Sequence, residues 1–202
     1  MKAKFLGITL MGVFCFGFMA SPSRAGESVS IPQGTELIVS IRDQKMALLR
    51  DGVSFSIYPI STSRFGTGDR PGSYATPLGK LVVKTKIGRG CRLGTVFKGR
   101  SPTGEVIPPN APGRDPIVSR ILWLDGQENQ NRHAFARCIY IHGTPQENLL
   151  GKPMSYGCIR MRSKDVANLA DTLPIGTSVK ITQEHLPKNH KSSRSGLLAS
   201  LF

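Results

Sequence analysis

The chain is expected to fold as one mostly β domain carrying one or two short helices. Three observations predict this. At 202 residues, 39% hydrophobic and 20% charged, it has enough apolar material for one core. Twenty-two glycines and fourteen prolines demand many turns. Short strand-like apolar runs then recur between turn signals, whereas helical spacing is sparse.

The first 25 residues stand apart from that domain. "MKAK" is basic, "FLGITLMGVFCFGFMA" is apolar and uncharged, and "SPSRA" ends in small residues at Ser23 and Ala25, where a signal peptidase reads. Residues 1–25 therefore read as a secretory signal, and export to a periplasm or cell wall is expected. A sixteen-residue apolar run is short for a bilayer, so membrane association is expected through this segment alone, and then if it stays uncleaved. Cys15 lacks the small residues that precede a lipidated cysteine. Losing Lys2, Lys4 and Arg24 lowers the formal charge from +14 to +11. An exported protein this basic suits an anionic polymer or surface. Export and the lack of a recognition motif argue against nucleic acid.

In "TELIVSIRDQKMALLRDGVSFSIYPIST" two strands flank the polar "RDQ", and Asp51-Gly52 turns the chain into a third. "RFGTGDRPGSYATPLG" is a loop, and "KLVVKTKI" returns to strand composition. Residues 88–116 hold too much Gly and Pro for a regular element of any length, which suggests a functional cover or a disordered stretch. From Lys84 to Arg100, Lys84, Lys86, Arg89, Arg92, Lys98 and Arg100 stand without an acid, as a solvated face or a carboxylate-attracting rim. "SRILWLDG" and "ARCIYIHG" read as buried strands. "SKDVANLADTL" is an amphipathic helix with Ser163 as N-cap, and "VKIT" is a last strand. Residues 187–202 read as a basic, flexible tail.

Chemistry concentrates in "IHGTPQENLLGKPMSYGCIRM", residues 141–161. Thr144 before Pro145, with Glu147 three residues on, predicts a capping box opening a short helix, and Gly151 suits its end. A strand, a short helix and a return loop can bring Cys158 beside His142. A free thiol is about 8.5 in pKa, so an adjacent imidazole, Arg160, Arg162 and the N-terminus of the helix at Ser163 are expected to favour a thiolate–imidazolium pair. The backbone N–H groups of Gly157 and Cys158 could face a developing oxyanion.

No metal site and no cofactor are expected. Cys138 and His142, four apart on one expected strand, would sit roughly 13 Å apart, too far to share a zinc ion with bonds of about 2.0–2.3 Å. The same spacing disfavours a Cys138–Cys158 disulfide. Cys91 and Cys138 either pair or remain free thiols.

His142-Gly143-Thr144, followed by Ser155-Tyr156-Gly157-Cys158-Ile159-Arg160-Met161, resembles the signature of the L,D-transpeptidase catalytic domain family, also called YkuD-like. "TPLGKLVV" (76–83) and the opening strands resemble the family too, over residues 34–183. The resemblance implies a β-sandwich or barrel-like catalytic fold acting on peptidoglycan stem peptides. It implies Cys158 as nucleophile, His142 as base and the Gly143 carbonyl as the group orienting the imidazole. Ser155, Gly157 and Arg160 would shape the acyl pocket and oxyanion site. A thioester would form with loss of D-alanine, then pass to a second stem, a lipoprotein lysine, a D-amino acid or water. Tyr156 stands where many members have histidine, which bears on acceptor choice. No substrate-recognition module is read, so targeting is expected to rest on the domain and its charge. A hydrolase of the same bonds and a non-catalytic wall-binding module are the alternatives. Tyr140 and Trp123 are expected to be core residues that could line the site.

Overall fold

The computed structural model describes residues 34–187; the expected leader at 1–25 and residues 188–202 of the expected tail lie outside them. Strands β1 (Glu36–Ser40), β2 (Lys45–Arg50) and β3 (Val53–Pro59) form an antiparallel meander. Asp51 and Gly52 both take positive φ, 50° and 74°, the backbone that a two-residue hairpin turn requires. Strands β4 (Gly79–Ile87), β5 (Thr95–Lys98), β6 (Ser101–Val106), β7 (Ile117–Gly126), β8 (Tyr140–Gly143), β9 (Ile159–Met161) and β10 (Ser178–Thr182) follow, with one helix, α1 (Ser163–Thr172), before β10.

All ten strands belong to one sheet, in the order β3-β2-β1-β10-β4-β7-β5-β6, with β8 and β9 branching from β7. Beyond β3 the chain bends back so that Ser61 and Arg160 exchange backbone hydrogen bonds of 3.0 and 2.9 Å. That bridge joins the two ends of the path β3-β2-β1-β10-β4-β7-β8-β9 into a barrel-like ring. The expected mostly β fold with a helical element is what forms.

Alternation along the strands sends Leu37, Val39, Met46, Leu48, Leu81, Val83, Leu122, Leu124, Ile141, Ile159, Val179 and Ile181 to one continuous core. Val166, Leu169 and Ala170 on α1 and the adjoining Leu173 cover it. The opposite face of β7 and β8 carries a second cluster, built on Phe97, Ile121 and Tyr140, against which Trp123, Cys91, Cys138 and Cys158 pack.

Four local expectations are corrected. Residues 88–116 contain the β5–β6 hairpin; every residue of β6 is exposed, so no apolar alternation announces it. Its turn uses Gly99 and Arg100 at φ 56° and 69°. The strand expected from Ala136 begins at Tyr140, because the preceding residues coil through a 3₁₀ turn (Asn129–Asn131) and Cys138 sits at φ 59°. The helix expected after Thr144 is a single 3₁₀ turn, Glu147–Leu149. Its capping box does not form: the Thr144 N–H donates to the Met161 carbonyl at 3.0 Å, and the Glu147 carboxylate accepts from the Ser163 N–H at 2.8 Å. Glu147 thereby caps α1, whose N-cap position is Arg162 rather than Ser163.

Candidate active site

His142 and Cys158 are brought to one face by the parallel pairing of β8 and β9. Ile141 lies opposite Ile159 and His142 opposite Arg160, so Cys158, one residue earlier, comes level with Tyr140. The Tyr140 N–H donates to Cys158 Sγ at 3.4 Å. Tyr140 and His142, two apart on a strand, face the same side. A bulge in β7 shapes this edge: Val118 pairs with Gly143 and Ile121 with His142, and Ser119 at φ 69° and Arg120 are looped out between them. Gly143 is wedged here; a Cβ on it would stand 2.6 Å from the Val118 carbonyl oxygen.

The buried His142 has its Nδ1 2.8 Å from the Gly143 carbonyl oxygen. A carbonyl can only accept, so Nδ1 carries the proton and Nε2 keeps a free lone pair. Burial pushes the imidazole pKa down to about 4, against the Gly143 hydrogen bond and the Asp115 charge, which raise it. It is neutral at physiological pH.

Cys158 is only partly exposed. Its Sγ donates to the Cys138 carbonyl at 3.3 Å. Burial pushes its pKa up to about 11, more than the Tyr140 N–H, Arg137 and Arg160 lower it. Burial thus opposes the charged form of both groups, against the expected thiolate–imidazolium pair, and no hydrogen bond joins them. The N-terminus of α1 is answered by Glu147, and Arg160, which still favours the thiolate, is paired with Asp115.

Cys138 corrects a second argument. Lying in a turn and not on β8, it is adjacent to Cys158, so the distance offered against their bonding does not apply. Cys91, Cys138 and Cys158 are all free thiols in this structure.

Gly157 takes φ 115°, and a Cβ there would meet the Ala75 carbonyl oxygen and the Ile139 side chain at 3.3 Å. Its N–H is turned onto Ser155 Oγ at 3.3 Å, while that hydroxyl donates to the Cys158 carbonyl at 2.6 Å. Ser155 thus binds the loop to itself. Arg160 is buried, donates to Ser61 Oγ at 3.0 Å and pairs with Asp115. Tyr156 points to the surface, where Arg64 donates to its hydroxyl and stacks on its ring at 4.4 Å. Phe65 and Tyr74 complete that exposed aromatic group, with centroids 5.5 and 5.8 Å from Tyr156.

Several contributors escaped sequence reasoning. Asp115, in the supposed loop, joins Arg160 to Thr144, whose hydroxyl donates to it at 2.5 Å. Thr76 Oγ1 donates to the Gly157 carbonyl at 3.0 Å. Arg137 holds the loop behind Gly157 through Ala75 O at 2.7 Å and Asp69 at 3.0 Å. The "TPLG" stretch flagged Thr76; nothing local flagged Asp115 or Arg137. Arg100 reaches over the site, stacked on Trp123 at 4.7 Å and 3.4 Å from Tyr140 Oη. Lys84 and Lys86 of the same basic run serve elsewhere, on Asp125 and on the end of α1. Tyr140 is buried and Trp123 partly buried, both in the cluster that supports Cys158.

Chemically, the face offers a thiol, a neutral imidazole with a free Nε2, and a glycine-bearing turn beside them. That is the equipment of nucleophilic acyl transfer.

Known proteins resemble this chain over most of its length. The family model for the YkuD L,D-transpeptidase catalytic domain matches residues 34–181. YqjB of Bacillus subtilis (strain 168), an L,D-transpeptidase by name, is 30% identical over 156 residues, 77% of this chain and 75% of that protein. YkuD of Bacillus licheniformis, of the same name class, is 52% identical over 42 residues, 21% of this chain and 26% of that one. Among solved structures, an L,D-transpeptidase of Xylanimonas cellulosilytica DSM 15894 aligns with TM-score 0.48 and 20% identity, over 75% of this chain and 63% of that one. L,D-transpeptidase 3 of Mycobacterium tuberculosis, in complex with a faropenem-derived adduct, aligns with TM-score 0.48 and 20% identity, over 74% and 60%. The chain thus spans less than two thirds of these solved chains. The family match covers well over half of the sequence, and with the relative in B. subtilis it assigns the family: the chain belongs to the YkuD family of L,D-transpeptidase catalytic domains.

Proposed function

We propose that the protein is an exported cysteine acyltransferase that remodels peptidoglycan stem peptides. The observation that carries this reading is the tautomer of His142. Its Nδ1–H is held by Gly143 at 2.8 Å, which leaves Nε2 as a base on the face that Cys158 shares. Catalytic contacts are often open in a free enzyme and close with substrate. In this reading Cys158 turns from the Cys138 carbonyl toward His142 when substrate binds.

The Cys158 thiol gives its proton to His142 Nε2 while Sγ attacks the carbonyl between the stem's third residue and its terminal D-alanine. The protonated imidazole then gives that proton to the leaving D-alanine amine, and a thioester remains. An acceptor amine attacks the thioester, its proton passes to Nε2, and Cys158 leaves as a thiol again. The Cys158 N–H, together with the Gly157 N–H once released from Ser155, would steady the oxyanion. A second stem, a lipoprotein lysine or a D-amino acid are the acceptors in this reading. Residues 1–25 would deliver the protein to a periplasm or cell wall, and cleavage after Ala25 in recovered protein tests that.

Incubation with disaccharide-tetrapeptide, read by mass spectrometry, tests the activity. Cross-linked dimer with free D-alanine is the expected product. Tripeptide alone would replace the reading with a hydrolase, and untouched substrate with a binding module. Acylation by a carbapenem, abolished in Cys158→Ala, tests the nucleophile separately.

A further inference from the structure

A cavity lies away from Cys158, between the C-terminal end of α1 and the β4–β7 ladder. It encloses about 530 Å³, within the range of small-molecule sites. Three cations line it, Lys86, Arg89 and Arg120, against one carboxylate, Asp171. Leu173 and Ile175 supply part of its apolar wall.

Arg120 is the feature that demands an explanation. It lies in the β7 bulge with its side chain only 7% exposed. Nη1 donates to the carbonyls of Cys91 at 2.8 Å and Ser119 at 2.7 Å. Nε is buried and has no hydrogen-bond partner. Asp171 Oδ1 stands 4.0 Å from that same Nε, a long ion pair, and its side chain is half exposed. A buried guanidinium normally keeps a close anionic partner, because desolvating an uncompensated cation costs several kcal/mol. Lys86 gives no relief. It adds positive charge while its own protons go to the carbonyls of Ala170 at 2.8 Å and Leu173 at 2.6 Å. Arg89 is exposed at the rim. The cavity is thus cationic at one wall and apolar at another.

We propose that this cavity binds a free acyl carboxylate: a single apolar chain ending in one carboxylate, which meets Arg120 while the chain lies along Leu173 and Ile175. A polar anion would leave the apolar wall wet, and a neutral chain would leave Arg120 with no anion closer than its long contact to Asp171. This site is independent of acyl transfer at Cys158.

The test is calorimetric titration of the purified protein with decanoate below its micellar concentration. Saturable binding of one molecule per chain is expected, with decanol and acetate each about tenfold weaker or worse. Arg120→Met should abolish binding. Since that variant alters a buried position, two surface variants carry the decision: Arg89→Glu and Ile175→Asp should each weaken decanoate about tenfold with unchanged melting temperature. Cys158→Ala should bind like the parent. Equal affinity for decanol, several decanoates per chain, or surface variants within about twofold of the parent would overturn the proposal. So would binding to anionic phospholipid vesicles without binding to monomeric decanoate.

Discussion

Cys158 should behave as a neutral thiol until substrate arrives, and alkylation kinetics can read this directly. Its pKa is pushed from 9.0 up to about 11, chiefly by burial. At pH 7 the thiolate fraction falls from about one in a hundred for an ordinary cysteine to about one in ten thousand, an opposition to ionisation of roughly 3 kcal/mol. Iodoacetamide attacks thiolates, so Cys158 should alkylate about a hundredfold more slowly at pH 7 than a free cysteine. The rate should climb about tenfold per pH unit from 7 to 10 without a plateau. Quantifying the labelled Cys158 peptide by mass spectrometry gives the rate at each pH, and the ultraviolet thiolate band gives an independent reading. A pH-independent alkylation rate from pH 5 to 8, with the thiolate band persisting at pH 5, would establish a resting ion pair. The neutral-pair reading would then be wrong.

Three further outcomes follow from the same geometry. His142 has its pKa lowered from 6.5 to about 4 by burial. It contributes stability that is complete above about 6.5 and lost as pH falls through about 4, roughly 3 kcal/mol in all; urea denaturation at pH 7 and pH 4 should show that loss, and His142→Gln should remove its share of the slope. Gly143→Ala would place a Cβ 2.6 Å from Val118 O, so a loss of about 1–3 kcal/mol is expected, measured by thermal unfolding; an unchanged melting temperature would show that β7 yields there. Asp115→Ala strips the carboxylate from Arg160, whose side chain is 5% exposed. A cost of about 3–5 kcal/mol is expected in the same denaturation assay, and a cost under about 1 kcal/mol would mean that the hydrogen bonds from Arg160 to Ser61 Oγ at 3.0 Å and Gln146 Oε1 at 3.4 Å suffice.

The legible parts of the chain were those written locally. Asp51-Gly52 announced its hairpin, and the spacing of Val166, Leu169, Ala170 and Leu173 announced α1. The His-Gly and Gly-Cys motifs marked where the candidate chemistry lies. The hairpin at 95–106 stayed hidden because its outer strand buries nothing and so shows no alternation. Cys138 was misplaced because "ARCIYIHG" is apolar enough for a strand, while a positive φ at a cysteine leaves no mark in composition. Glu147 satisfied the pattern for capping its own turn, yet tertiary packing gave it to α1, sixteen residues on. The charge state was not legible for another reason: burial of Cys158 outweighs the help of Arg137 and Arg160, and the sequence lists the cations but not the burial.

The order in which the polypeptide emerges has a bearing on when it can fold. Strand β10, the last among the described residues, runs parallel to β1 and sits between it and β4. A nascent polypeptide therefore cannot join β1 to β4 along that seam until Ser178 to Thr182 are free. A chain ended at Gly176 should lose cooperative melting altogether. Retention of a sharp transition within about 2–4 °C of the parent, a shift worth about 1 kcal/mol, would show that the closing seam is dispensable.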